Sequence, residues 1–434
     1  MRRAIWQRWN RIIPESLFSI GFSTAAFLVA GFFTSVLVEA QRPAAPTVFE
    51  GARLIVGDGS APIADSAFLV ENGRFTAVGR KGQIKAPAGA AHVDLTGKTV
   101  MPTIVDAHKH LAVTRDALVD QLQHLAYYGI GAAMSLGQDT GDVAYQVRAE
   151  TIPNAARFRT AGRGITAPEP GRTQAPFWVT SEAEVRKAVD EMAMKKVDII
   201  KFWVDDRDHT VTKLNPELYR AGIDEAHKKG LRTIAHIYTL EDAKGTLRAG
   251  IDNFAHSVRD KDIDDEYLKL IKAKPGFIVD PNLPDRGVKV DRSWLRDSVT
   301  AAELQKLQED SKEDPKAQAF FGIQARNLAK LNASGVKIAL GSDGGVPWAA
   351  HEEMADMVAA GMTPAQVLVA ATRNAAQLAN LSDSGTIATR QSADFLVLDA
   401  NPLDDITNTR RIASVYLRGS SVDRAALSAR WTGK

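Results

Sequence analysis

Four of the nine histidines in this 434-residue chain stand at the ends of short apolar runs. His108 and His110 close TVMPTIVDAHKH, His236 closes LRTIAHI, and His256 falls near the end of DNFAHS. Asp343 ends VKIALGSD in the same manner, and Lys201 sits inside VDIIKFW. In an extended strand, residues two apart point to one face, so His108 and His110 present two imidazoles together. Two such imidazoles can chelate a cation, although an HxH pair also arises as ordinary polar packing. Taken with His236, His256 and Asp343 at later strand ends, the pair points to a metal centre. Lys201 has a plain reading, a stem lying along apolar surface with its amine paired to Asp205 or Asp206. Left unpaired in a core, its ammonium would be costly to bury.

The elements that must carry these groups follow from the periodicity. Between about residues 99 and 384 the chain alternates β runs with helical patterns. The expected strands are 99–108, 131–137, 157–162, 197–203, 231–237, 252–257, 276–281 and 336–343. SEAEVRKAVDEMAMKK reads as a helix capped by Ser181, and NPELYRAGIDEAHKKG as one stopped at Gly230. Eight strands, each followed by a helix, predict an α/β fold of the (β/α)8 TIM-barrel type, whose active sites lie at the C-terminal strand ends. Residues 48–98 and 385–434 instead show short β runs broken by Asp-Gly, Asn-Gly and Thr-Gly turns. They are expected to form one small composite β-sandwich domain from the two chain ends.

Composition narrows the classes. With no Cys, a disulfide scaffold, a thiolate zinc site and a Cys nucleophile are excluded, so any metal must use His and carboxylates. The formal charge of +2 gives no basic stripe for nucleic acid. Residues 1–40 read as an export leader: Arg2, Arg3, Arg8 and Arg11, then an apolar run from Leu17 to Val38, then a small-x-small site ending at Ala40. The run is also long enough to span a bilayer, so residues 17–38 read alternatively as an uncleaved membrane anchor. The leader's four Arg and two Glu account for the whole charge excess. Residues 41–47 read as a linker. The expected location is exported, periplasmic or secreted, with membrane contact only if the segment is uncleaved.

At these residues the sequence resembles the metal-dependent amidohydrolase superfamily, and most closely the exported Xaa-Pro dipeptidase and imidazolonepropionase-like group. DLTGKTVMPTIVDAHKHL, VDIIKFW, the segment from ELYRAG to IDNFAHS, IALGSDGGVP and ADFLVLDANPLDD carry the likeness. It implies a two-metal site. His108 and His110, with Asp343, would hold one ion, and His236 and His256 the other. Lys201, carboxylated on its amine, would bridge them. Zinc is the default for such ligands. The implied reaction is hydrolysis of an amide or peptide-like C–N bond, in a dipeptide or N-acyl amino acid, by a metal-bridging hydroxide. Asp343 would shuttle the proton. Tyr238, two residues after His236, would stabilise the oxyanion or hold a substrate carboxylate, or else pack at the rim. The alternative is the same scaffold acting on a cyclic amide, lactone or carbamate or other organic ester. The partner expected is a small-molecule substrate, with a homo-oligomer left open.

The sequence departs from the family pattern in four places. Thr103 replaces a Gly, Met134-Ser135 replaces an Arg-Asp pair, APEPGRTQAPFW follows GRGIT, and WVDDRDH follows Lys201. All lie off the ligand positions and where specificity is set. Arg163, Arg172, Trp178, Trp203 and Arg207 are candidates to line a pocket for an aromatic or carboxylate-bearing substrate. Of the other histidines, His209 and His351 are candidates to reach substrate. His92, His124 and His227 read as structural or solvated.

Overall fold

The computed structural model describes residues 45–433. The leader or anchor at 1–40 and most of the 41–47 linker lie outside the described residues. The fold is mixed α/β and TIM-barrel-like. All eight expected segments contain a strand, though several are shorter than the apolar runs.

Five short strands open the described chain: β1 (Thr47–Glu50), β2 (Arg53–Leu54), β3 (Ser66–Glu71), β4 (Arg74–Arg80) and β5 (Ala91–Asp94). β6 (Thr99–Pro102) and β7 (Ile104–Lys109) follow, separated only by Thr103. Residues 99–102 do not extend the first barrel strand, contrary to expectation. β6 pairs with β17 (Phe395–Leu398) and β2, in a sheet that β18 (Ile412–Leu417) and β19 (Ser420–Ser421) complete. The chain changes partners at Thr103, whose N–H donates to the Asp394 carbonyl, whereas Ile104 N–H donates to Gly129. Thus both chain ends do contribute to one sheet. A second sheet, β4-β3-β1-β5, faces it through aromatic rings. Phe49 stacks on Phe68 at 5.0 Å and meets Phe395 edge-on at 5.1 Å, and Phe395 stacks on Tyr416 at 4.5 Å. Offset and edge-on contacts of this kind add to the burial energy of the rings.

The central strands lie in two parallel sheets. One joins β7 to β8 (Ile130–Ser135) and β9 (Arg157–Thr160). The other runs β11 (Phe177–Trp178), β10 (Ile165–Thr166), β12 (Ile200–Val204), β13 (Thr233–Ile237), β14 (Asn253–Ala255), β15 (Ile278–Asp280) and β16 (Lys337–Ile338). Backbone bonds connect them: Asp198 N–H donates to Thr160 O, and Ala107 N–H donates to Leu340 O. β7, β8, β12 and β13 are buried along their whole length, as a parallel sheet covered on both faces requires.

Two of the helices between strands are bounded by the residues expected, Ser181 at a start and Gly230 past an end. Ser181 Oγ accepts from Glu184 N–H at the start of α3 (Glu182–Met194), which follows α1 (Arg115–Tyr127) and α2 (Val143–Ala149). Asn215 caps α4 (Pro216–Lys228), and Gly230 takes a left-handed φ of 70° just past its end. The long expected strand at 336–343 is regular only at Lys337–Ile338. Beyond it, backbone groups turn to other partners. Leu340 N–H donates to Ala370 O, a carbonyl inside the π-helical turn Ala370–Asn374, and Ser342 N–H donates to the Asp106 carboxylate. Ala370 O thus accepts both Ala375 N–H within its own turn and Leu340 N–H from the strand, and such turns recur beside functional sites.

Candidate metal centre

β7 sends His108 and His110 to one end of the parallel strands, and Asp343 meets them from the segment after β16. Asp343 Oδ1 lies 3.1 Å from His110 Nε2 and 3.4 Å from His108 Nε2, and Oδ2 lies 3.8 Å from His256 Nε2. The ligand atoms of His108, His256 and Asp343 all fall within 4.8 Å of one another. The rings touch in sequence: His108 and His110 at 5.4 Å, His108 and His256 at 5.1 Å, His256 and His236 at 4.3 Å. The four strand-end histidines and Asp343 are therefore brought together as the sequence suggested. Three residues that follow the strands hold left-handed backbone, His256 at φ 82°, Asn282 at 42° and Asp343 at 46°. Each costs about 1–2 kcal/mol, which a packed site can sustain.

The protonation pattern suits a cation. Burial drives the His108 and His256 imidazoles well below their ordinary pKa, in His108 against the opposing pull of Asp343. Burial likewise pushes His236 down to about 3, opposed by its hydrogen bond to Asp205. Neutral imidazoles are the form that ligates. For Asp343, burial would raise the pKa, but His108, His110 and Lys201 together hold it well below the usual carboxylate range.

Hydrogen bonds behind the rings fix which nitrogen is available. Asn282 Nδ2 donates to Asp280 Oδ1 at 3.0 Å and to Gly341 O at 2.7 Å, which leaves its Oδ1 facing His108 Nδ1 at 2.8 Å. His108 Nδ1 thus carries the proton and Nε2 faces Asp343 with its lone pair. His236 gives Nε2 to Asp205 Oδ2 at 3.0 Å. His256 differs, since Arg259 Nη2 donates to its Nδ1 at 2.6 Å.

Lys201 is wholly buried, and its Nζ has no hydrogen-bond partner. Neither Asp205 nor Asp206 pairs with it. Asp205 serves His236 and Arg207, while Asp206 meets His209. The amine lies 5.3 Å from the centre of the Trp203 ring. Burial pushes its pKa down to about 7, against the attraction of Asp343 and Asp280. A His–His–Asp cluster with an unpartnered amine beside it fits a divalent-cation centre.

Sequence reasoning missed Asp280, Asn282 and Arg259, and offered Asp205 only as a partner for Lys201. Asp280 ends β15, is fully buried, and lies 3.3 Å from His108 Nδ1. Burial, reinforced by Asp106, raises its pKa well above the ordinary value. The rule that flagged the other strand ends would have found it. Gly341 packs against it closely, for a Cβ there would lie 2.4 Å from Asp280 Oδ2 and 2.6 Å from His108 Cβ.

The candidate substrate residues mostly have other work. Arg163 donates to the carbonyls of Gln174, Ala175 and Pro176 and lies 3.9 Å over Phe177. Arg172 pairs with Glu169, and Arg207 with both Asp205 and Glu169. Trp203 is buried against Gly137 and Gly164, where no Cβ would fit, and Trp178 contributes to β11. Tyr238 is half-buried one residue beyond the end of β13, so strand alternation does not fix its direction. His209 is exposed and paired with Asp206. His351 does not reach the cluster. It is buried between Tyr128 O at 2.9 Å and Thr409 Oγ1 at 3.0 Å. His124 stacks on Trp431, His227 meets Asp252, and His92 is exposed.

Residues 99–422 match the model of the Amidohydrolase family. An imidazolonepropionase of Deinococcus radiodurans is 28% identical over 394 residues, covering 83% of this chain and 92% of its own. Among solved structures, a Xaa-Pro dipeptidase with methionine bound in its active site superposes with a TM-score of 0.70 at 21% identity, over 87% of this chain and 99% of its own. Molinate hydrolase gives 0.73 at 19%, over 89% and 96%. At those identities the two structures speak to fold.

Proposed function

Since this chain belongs to the amidohydrolase family, we propose that it is an exported binuclear metal hydrolase cleaving an amide or peptide-like C–N bond in a dipeptide or N-acyl amino acid. The observation that carries this reading is the convergence of His108, His110 and His256 on Asp343 beside the buried, unpartnered Lys201 amine. His108, His110 and Asp343 would hold one ion and His236 and His256 the other, with zinc the expected metal. Such ions, when bound, polarise the scissile carbonyl and bring the pKa of water near neutrality.

The chain's own groups do the rest. A Lys201 amine with a pKa near 7 is largely unprotonated at mildly alkaline pH. The lone pair of this neutral amine can form a C–N bond to carbon dioxide with loss of one proton, giving a carbamate anion that would bridge the two ions. Asp343 is ionised and lies within reach of the histidines. It accepts a proton from the attacking water and passes it to the leaving amine. Tyr238, at the rim, donates its phenol to the developing oxyanion or to a substrate carboxylate. The second reading, a cyclic amide, lactone or carbamate or other organic ester, uses the same groups. We also propose that the two parallel sheets close into one (β/α)8 barrel over residues 99–384. Residues 48–98 and 385–434 would form a β-sandwich, supported by the aromatic contacts between its sheets.

The deciding experiment is metal analysis with a substrate panel. Protein purified with zinc and bicarbonate should carry about two zinc per chain and hydrolyse N-acyl amino acids or dipeptides; fewer than about one would sink the proposal. Lys201→Ala should lose two-metal occupancy and regain activity in part with small carboxylates. Export is tested by N-terminal sequencing of native protein, which should begin at Gln41.

A further inference from the structure

The two segments that depart most from the family pattern, the one after β10 and the one after β12, are tied together behind His236. Asp205 directly follows β12 and is almost fully buried. Its Oδ2 lies 3.0 Å from His236 Nε2 and 2.7 Å from Arg207 Nη1, and its Oδ1 accepts the Arg207 backbone N–H at 2.9 Å. Arg207 Nη2 continues to Glu169 Oε1 at 3.2 Å, and Glu169 Oε2 meets Arg172 Nε at 2.6 Å. Glu169 is also almost fully buried. Arg207, Asp208 and His209 all hold left-handed φ, at 53°, 57° and 63°. Three such residues in succession persist only where surrounding bonds over-determine them.

Arg207 Nη1 also approaches His236 Nε2, as a donor at 3.4 Å, but the Asp205 carboxylate, which can only accept, lies closer at 3.0 Å. Asp205 Oδ2 is the acceptor between them. From this we infer that Asp205 is a positioning residue that fixes the His236 tautomer. By accepting the Nε2 proton it leaves Nδ1 as the lone-pair nitrogen. Arg207 and Glu169 brace Asp205 from the neighbouring loop. The inference rests on the metal-centre reading for its consequence, because an imidazole with its proton on Nδ1 could not ligate through that atom. The tautomer itself does not depend on that reading.

The test is Asp205→Asn in the full chain, read in two ways. In protein carrying 15N-histidine, with His236→Gln assigning the signal, wild-type His236 should carry its proton on Nε2. Asp205→Asn, whose amide can donate instead, should shift the proton to Nδ1. In zinc competition against a chelator, the same variant should bind the weaker ion about 10–100-fold less tightly, the loss typical of a lost ligand-orienting bond. Arg207→Gln should keep the Nε2 proton and show a smaller loss of zinc affinity. It carries the affinity test should Asp205→Asn fail to fold. A wild-type proton on Nδ1, or zinc affinity unchanged in both variants, overturns the proposal. If wild-type protein binds no zinc, the metal reading fails, while the nitrogen spectrum still decides the role of Asp205.

Discussion

Asp343 and His108 are joined twice: the Asp343 backbone N–H donates to the His108 carbonyl at 2.8 Å, and Asp343 Oδ1 stands 3.4 Å from His108 Nε2. The first contact sets the second. Two residues more than 200 positions apart in sequence meet because the segment after β16 is pinned by its backbone to β7. Asp106 strengthens the same seam, accepting from Ser342 N–H at 3.0 Å and Ser342 Oγ at 2.7 Å.

Asp343→Asn should separate chemistry from architecture. Asn tolerates the left-handed φ of 46° better than most residues, and the bond to His108 O uses only the backbone. We expect kcat to fall about 10²–10⁴-fold, the range for loss of a general acid–base group. The thermal midpoint should move little. A variant with more than a tenth of wild-type kcat would remove Asp343 from the proton path.

The Lys201 amine makes the metal-free protein pH-sensitive in a definite direction. Its folded pKa of about 7 lies below the 10.5 of an exposed lysine, so burial disfavours the charged form. Below pH 7 the folded state bears the full penalty of a buried ammonium, roughly 4–5 kcal/mol, and the penalty fades as pH rises towards 10.5. Lys201→Met should therefore stabilise the metal-free chain at pH 6, with an advantage that shrinks by pH 10. Urea midpoints at the two pH values measure this. A Lys201→Met midpoint no higher than wild type at pH 6 would contradict the burial argument.

Gly341 predicts a loss of activity from one added methyl. Its Cβ would strike Asp280 Oδ2 at 2.4 Å and His108 Cβ at 2.6 Å. Gly341→Ala must displace one or both, at about 1–3 kcal/mol of stability for overpacking. Zinc affinity and kcat should both drop. A variant that keeps wild-type zinc affinity would show that the seam accommodates the methyl without moving His108.

What the sequence could disclose follows from the range of each signal. The histidines were legible because alternation and strand-end position are local properties. Their orienting partners were not. Asn282 reads as an ordinary loop residue, and Asp205 as a partner for Lys201, until the fold brings them to His108 and His236, 174 and 31 positions away. His351 misled for the converse reason. Its place just after Asp343 suggested the site, yet its ring nitrogens are taken by Tyr128 and Thr409. The partner change at Thr103 was invisible too, since residues 99–108 read as one continuous β run and only pairing distinguishes the two strands.

Thr103 also supplies a coupled prediction, because the space it occupies comes from Gly131. A Cβ at Gly131 would lie 2.1 Å from Thr103 Oγ1 and 2.7 Å from Thr103 Cβ. The side chain that replaces the family's usual glycine at this position is therefore accommodated by a glycine on the adjacent strand. Gly131→Ala alone should cost about 1–3 kcal/mol, because Thr103 is buried and its backbone is held by the bond to Asp394 O. Thr103→Gly alone should cost less than a buried large-to-small change, because only a small side chain is lost. The double variant should recover most of the Gly131→Ala loss, with a coupling energy above about 0.5 kcal/mol in a double-mutant cycle of urea midpoints. Strict additivity would mean that β7 and β8 adjust their spacing independently of Thr103, and that its contact with Gly131 does not govern the seam between them.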